Sequence, residues 1–215
     1  MNSVFVAPIL KEDRHKSEFH LIYNNWIKFF KLINLQVNSY FDLSEEGVKS
    51  IERRNKALIL CGGGEINKIK KDKLNLKRDN FEKKLISIFL KKKKPILAIC
   101  RGFQLIASLN SGKFAKSKNH VRKTHNLIIS KESKFILCKK LITNSFHNNV
   151  IKSISKEFDV IARSKDFYIE IAENKKQNIL CFMFHPERYN KSNNQIKTIV
   201  NNFINGSINI SSRKR

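Results

Sequence analysis

Hydrophobic and polar positions switch between two periods along the first half of the chain, and the switching predicts alternating strands and helices. Residues 4–9 are a short β-rich run, closed by Pro8 and by the charged segment 11–16. Phe19, Ile22, Tyr23, Trp26, Phe30 and Ile33 then recur at helical spacing behind Ser17, which predicts a capped helix with Trp26 anchored in the core. Residues 57–60 are wholly apolar between Lys56 and a triple glycine, the pattern of a parallel strand buried on both faces. Asp79 is placed to cap a second helix carrying Phe81, Leu85, Ile88 and Phe89. That helix runs out in Lys91 to Lys94, read as a solvated C-terminus favoured by the macrodipole.

Pro95 opens another buried strand over 96–99, and the apolar pattern resumes at once in a helix over 103–109. Strand, sharp turn and helix repeated in this way imply a mostly parallel sheet flanked by helices, with ligands gathered at the carboxyl ends of its strands. The second half reads as strand-rich, with runs at 127–130, 135–137, 159–162, 168–172 and 179–184, then a helix over 194–204. No internal repeat or linker divides the chain, so the expectation is an α/β fold in one domain over 1–205 and a basic tail over 206–215.

Composition narrows the classes. At 215 residues, 41% hydrophobic and 28% charged, the chain is neither collagen-like, disordered nor a disulfide scaffold. The excess of 43 Lys and Arg over 18 Asp and Glu, a formal +25, would attract nucleic acid, acidic membrane or a phosphate-bearing substrate alike. Abundant Lys, Asn and Ile, as in proteins translated from AT-rich genes, explain the charge without any partner. The lysines are scattered and no basic motif interleaved with aromatics stands out, so no nucleic-acid partner is expected. Cys61, Cys100, Cys138 and Cys181 form no CxxC pair, which argues against a metal site; Cys61 and Cys181 read as buried thiols in a reducing compartment. The run 4–10 is too short for a signal sequence and no apolar stretch has membrane-spanning length. A cytoplasmic protein without membrane contact, metal or cofactor is expected.

Cys100 carries the first chemical signal. A nucleophile between an apolar strand and a helix sits on a tight elbow that exposes its side chain at the sheet edge, and Gly102 gives that turn the close approach it needs. Helix N-termini favour thiolates, so Cys100 is a candidate nucleophile. His185-Pro186-Glu187 directly follows the last apolar strand, where an imidazole can act as base and a carboxylate two positions on can fix its tautomer. A histidine followed almost immediately by its acid argues against the α/β-hydrolase order. Gly62, Gly63 and Gly64 offer free backbone amides which, with the amide of Arg101, can form an oxyanion hole. A tight structural turn and a phosphate loop are the rival readings, the latter lacking both a GK[ST] tail and a GxGxxG start.

These segments together have a family likeness. Cys100-Arg101-Gly102-Phe103-Gln104, the loop Leu60 to Glu65 and Phe184-His185-Pro186-Glu187 resemble the class I glutamine amidotransferases, a flavodoxin-like fold, and within them the gamma-glutamyl hydrolase branch called peptidase C26. Arg78-Asp79 with Glu82, His120-Val121 with His125, and Asn144 to Asn148 add to the resemblance, which runs from about residue 4 to about residue 204. Glu65 stands where Asp is usual, and Cys61 where Ser is common.

The resemblance implies that Cys100 attacks the side-chain carbonyl of a γ-glutamyl amide, His185 shuttles the proton and Glu187 orients His185. Water would then hydrolyse a glutamyl thioester to glutamate. By the same likeness Gly63 and Arg101 supply the oxyanion donors, and Gln104, Ser145, Phe146 and His147 hold the glutamyl group. A narrower likeness, carried by residues 77–84, 119–121, 144–147 and 185–188, is to the gamma-glutamyl-CDP-amidate hydrolases of capsule phosphoramidate synthesis. It implies a nucleotide-linked substrate and a cationic mouth drawn from Arg101, Arg122, Lys123 and Arg188.

Two other functions are weighed against this one: a glutaminase subunit delivering ammonia to a synthase partner, and a non-catalytic basic binding protein. His15 and His20 read as surface residues. His120 and His125 read as structural hydrogen-bonders rather than metal ligands, because no carboxylate-rich cluster accompanies them in sequence. Arg78, Asp79 and Glu82 are close enough on one helix end to cap and pair locally.

Overall fold

The computed structural model describes residues 2–206, so most of the expected basic tail lies outside the described residues. The chain opens with β1 (Ser3–Ala7), a hairpin of β2 (Ile9–Glu12) and β3 (Glu18–Leu21), helix α1 (Asn24–Lys31), β4 (Gln36–Asn38) and α2 (Glu45–Arg54). Then come β5 (Ala57–Leu60), α3 (Lys73–Lys91), β6 (Ile96–Ile99) and α4 (Arg101–Leu109). The second half holds β7 (Lys113–Lys116), a 3-10 turn at Lys118–His120, β8 (Val121–Ile129), β9 (Lys140–Phe146) and β10 (Asn149–Ser153). It ends with β11 (Asp159–Arg163), β12 (Ile169–Asn174), β13 (Ile179–Phe182) and α5 (Asn193–Asn205).

One eleven-stranded sheet runs β4-β1-β5-β6-β13-β12-β11-β8-β9, with β10 bridging β12 and β7. Pairing is parallel from β4 to β13 and antiparallel from β13 onward, so the expected α/β fold with a strand-rich second half is what forms. β5, β6 and β13 are buried at every residue, as continuous apolar runs covered on both faces must be. One core packs Trp26, Phe30, Ile99, Phe182 and Val200; the other packs Phe81, Leu85, Phe89, Phe103 and Ile106. No described helix is long and apolar enough to cross a membrane.

Local chemistry overrides four sequence expectations. Residues 17–23 are not helical: the Asp13 carboxylate accepts from the amides of His15 and Ser17, and that turn folds the segment into the β2–β3 hairpin, leaving α1 to begin at Asn24. α3 begins six residues before Asp79, because Asp72 accepts from the amides of Leu74 and Asn75. Residues 135–137 are not a strand: the Ser133 hydroxyl accepts from the amides of Phe135 and Ile136 instead. Lys94 is not merely solvated, since its ammonium donates to the carbonyls of Glu52 and Asn55 and ties α3 to α2.

Candidate active site

β6 delivers Cys100 to the carboxyl end of the sheet with φ of 50° and ψ of −100°, a positive-φ conformation between strand and helix that side chains rarely adopt. Its amide donates to the carbonyl of Phe182 at 2.7 Å, so the neighbouring strand holds the elbow in place. A Cβ on Gly102 would lie 2.3 Å from the carbonyl oxygen of Leu60, and only glycine lets α4 start this close to β5.

β13 ends beside β6 and hands over to His185. The imidazole Nδ1 lies 2.7 Å from Glu187 Oε1, and His185 lines the same cavity as Cys100. All three side chains are buried. Burial works against charge on His185, but the Glu187 carboxylate and the Cys100 sulfur outweigh it and push the imidazole up to about 10. Asn144 fixes this loop from β9: its Oδ1 accepts from the His185 amide, and its Nδ2 donates to the carbonyls of His185 and Tyr189. Asn190 Nδ2 donates to the carbonyls of His185 and Arg188.

The glycine loop closes the site from the β5 side. A Cβ on Gly62 would lie 2.5 Å from His185 Cε1, so the imidazole occupies the space a side chain would need. Gly62→Ala is therefore expected to displace the ring and lower kcat by about 10²-fold. Steady-state kinetics together with a melting curve check this, and unchanged kcat in a folded variant would refute the packing argument.

Gly63 has φ of 96°, and the loop is gripped from behind by two buried arginines. Arg78 donates to the carbonyls of Gly63 at 2.6 Å and Cys61 at 2.9 Å, and Arg101 Nε donates to that of Glu65 at 3.2 Å. With its carbonyls held on the far side, the loop can turn its amides toward Cys100. Arg101 is the first residue of α4, so its own amide has no intrahelical acceptor.

The arginines are held in turn by Glu82 and Asp79, which pair with Arg78 and Arg101 across α3. The guess that Arg101 lines a cationic mouth is corrected: its side chain is 1% exposed and committed to this network, because two carboxylates compensate a guanidinium that water cannot reach. Asp79 is likewise a buried partner in mid-helix rather than a cap.

Cys100 and His185 stand at the base of a cavity of about 430 Å³ lined also by Gly63, Glu65, Gln104, Phe146 and His147. Arg122 and Arg188 reach the same cavity, and Arg188 lies over the Phe146 ring. Lys123 is exposed on β8 and is not part of the lining. Ser145 sits behind the wall, its hydroxyl donating to the carbonyl of His120. Gln104 Nε2 donates to the Asn149 carbonyl, and Asn149 Nδ2 to Glu65 Oε1, a polar chain along the wall that the sequence reading missed.

A second correction concerns the histidines. His120, His125 and His147 do meet carboxylates: all three face Glu170, and His120 also faces Asp166. Burial pushes Glu170 up, but the three imidazoles outweigh it and hold this carboxyl well below the usual range. The available signal was Glu170 itself, a carboxylate set between Ile169 and Ile171 in an otherwise apolar run.

The family described as Peptidase C26 matches residues 44–187, a span holding the glycine loop, Cys100, His185 and Glu187. The chain belongs to the Peptidase C26 family. Like it is a gamma-glutamyl-CDP-amidate hydrolase of Campylobacter jejuni, 39% identical over 139 residues, covering 65% of this chain and 66% of the relative. A glutamine-hydrolysing GMP synthase of Brachyspira hyodysenteriae is 32% identical over 166 residues, 76% of this chain but 30% of that enzyme. This C26 chain thus spans just under two thirds of the first relative and less than a third of the second. Its fold matches a glutamine amidotransferase of Thermotoga maritima with a TM-score of 0.69 at 13% identity, covering 96% of this chain and 98% of that one.

Proposed function

We propose that this C26 protein hydrolyses a γ-glutamyl amide through a thioester on Cys100. The observation that carries the reading is His185, 2.7 Å from Glu187 and lining one open cavity together with Cys100. The thiolate of Cys100 attacks the γ-carbonyl, and the oxyanion is received by the amides of Gly63 and Arg101. The imidazolium of His185 gives its proton to the leaving nitrogen as the C–N bond breaks. His185 then takes a proton from water, which attacks the thioester and frees glutamate and the thiol. Gln104 and Phe146 on the wall hold the glutamyl group, with Ser145 and His147, whose ring nitrogens are buried, acting from behind it through the strand backbone.

The narrower substrate is a γ-glutamyl amide whose leaving group bears phosphate, as the name of the Campylobacter relative suggests. Arg122 and Arg188 at the cavity edge suit that charge. The test is glutamate release and mass spectrometry of the protein after mixing with glutamine, a neutral γ-glutamyl amide and γ-glutamyl-CDP-amidate. A +glutamyl adduct on the Cys100 peptide and fastest turnover of the nucleotide conjugate are expected; no adduct and no turnover with any of them would refute the reading. The GMP synthase relatives favour a second one, a glutaminase subunit that turns over glutamine only when a synthase partner is added.

The pH dependence follows from His185. Because its folded value is raised, to about 10, the imidazolium persists through neutral pH and activity is lost only as pH climbs through that region. Removing the charge in Glu187→Gln lowers the imidazole and moves the alkaline limb of kcat/KM to lower pH. An unmoved limb in a folded variant would sever the two residues.

A further inference from the structure

At the cavity wall, which His147 helps to line, and directly behind it, three histidines converge on one carboxylate. His120 closes the 3-10 turn, His125 lies on β8, His147 follows β9 and Glu170 lies on β12. Glu170 Oε1 is 3.1 Å from His125 Nδ1, 3.2 Å from His120 Nδ1 and 3.7 Å from His147 Nε2. Donor atoms of His120, His125 and Glu170 all lie within 4.8 Å of one another. His120, His147 and Glu170 are each at least nine-tenths buried.

Hydrogen bonding accounts for only part of this cluster. His120 Nδ1, both nitrogens of His147 and Glu170 Oε2 are buried without a hydrogen-bond partner. Orphaned buried polar atoms of this number cost too much to be incidental. Zinc holds nitrogen and oxygen donors at about 2.0–2.2 Å in a tetrahedron, which places neighbouring donors roughly 3.3 Å apart. The three separations from Glu170 Oε1 bracket that edge. His120 also turns its remote Nε2 to Asp166 at 3.0 Å, and Asp166 accepts from the Ser164 hydroxyl at 2.6 Å. That is the carboxylate–histidine–metal arrangement, in which an outer carboxylate fixes the tautomer and leaves the inner nitrogen free to coordinate.

We propose that His120 Nδ1, His125 Nδ1, His147 Nε2 and Glu170 Oε1 form a closed site for one divalent transition-metal ion of the zinc class, with Asp166 orienting His120. Three imidazoles and one carboxylate do not suit magnesium or calcium, which take oxygen donors. The two carboxylates balance the double charge of the ion. Its role is structural: it ties β8, the end of β9 and β12 together directly behind the wall that carries Phe146, and the His120 carbonyl, which accepts from Ser145 Oγ and the His147 amide, transmits that restraint.

The test uses the full chain without an affinity tag: elemental analysis as purified and after zinc addition, and cobalt(II) titration read by its tetrahedral visible absorption. One equivalent per chain is expected, and it is retained in Cys100→Ser. Glu170→Gln and His125→Ala are expected to lose stoichiometric binding, and Asp166→Asn to weaken it about 10–100-fold. His125 is the least buried of the four ligands, so its variant keeps the test open should Glu170→Gln fail to fold. No uptake by the wild-type chain, which would leave the cluster a hydrogen-bonded one, or equal uptake by both ligand variants, would overturn the site. Loss of the ion in Cys100→Ser would place it at the nucleophile and overturn it as well.

Discussion

Under the proposed thioester mechanism, Cys100→Ala is expected to lower kcat/KM for a γ-glutamyl amide by roughly 10⁴-fold or more, because the variant would lose the atom that forms the covalent intermediate. Residual activity would come from the oxyanion amides and binding alone. The fold should survive: Cys100 is held by its own backbone, with its amide on the Phe182 carbonyl and its carbonyl on the Gln104 amide, and alanine keeps both bonds. Substrate should therefore still bind, with KM or Kd little changed while kcat collapses. Single-turnover kinetics and calorimetric binding to the same variant separate the two quantities. A folded Cys100→Ala enzyme with near-normal kcat would end the thioester mechanism.

The largest expected effect on stability lies elsewhere. Glu82 is fully buried and is shared by Arg78 and Arg101, so Glu82→Gln leaves two buried guanidiniums with only Asp79 as a charged partner. Burial and the neighbouring Arg78 push Arg101 below its ordinary value, and the Glu82 and Asp79 charges are what oppose that. Breaking a buried pair by removing one partner costs about 3–5 kcal/mol. For a chain of this size that is a fall in Tm on the order of 10 °C. The arginines also hold the carbonyls of Cys61, Gly63 and Glu65, so kcat should fall with the loop geometry even below the new Tm. Thermal denaturation with activity measured well below the transition tests both. A shift under about 1 °C would show the network to be solvated rather than closed.

Two other groups give a useful contrast. The buried thiol of Cys61, whose Sγ donates to the Ala7 carbonyl, is pushed up to about 11 chiefly by burial, and Cys181 is pushed up for the same reason. Neither thiol is available as a thiolate nucleophile near neutral pH.

Much of this is legible in the amino-acid sequence alone. Wholly apolar runs at 57–60 and 96–99 could only be strands covered on both faces, and Cys100 with Gly102 had to be an elbow because strand and helix leave no room for a loop between them. The glycine triplet and His185-Pro186-Glu187 were likewise tied to strand ends. These features are local: periodicity and the conformational freedom of glycine act over a few residues, and sequence records them directly.

What the sequence could not decide depends on partners distant along the chain. Asp79 and Glu82 look like ordinary helix-end charges until α3 packs under the glycine loop and sets them against Arg101, about twenty residues on. Asn144 becomes a clamp on His185 only because β9 lies next to the end of β13's loop, and His120, His125 and His147 find Glu170 only because β8 and β12 share a sheet. Burying a charge or an amide is unfavourable until the fold brings its partner to it, so the identity of that partner is a property of the tertiary structure. The chain itself determined which residues could do chemistry; packing decided which of them are held, by what, and facing which cavity.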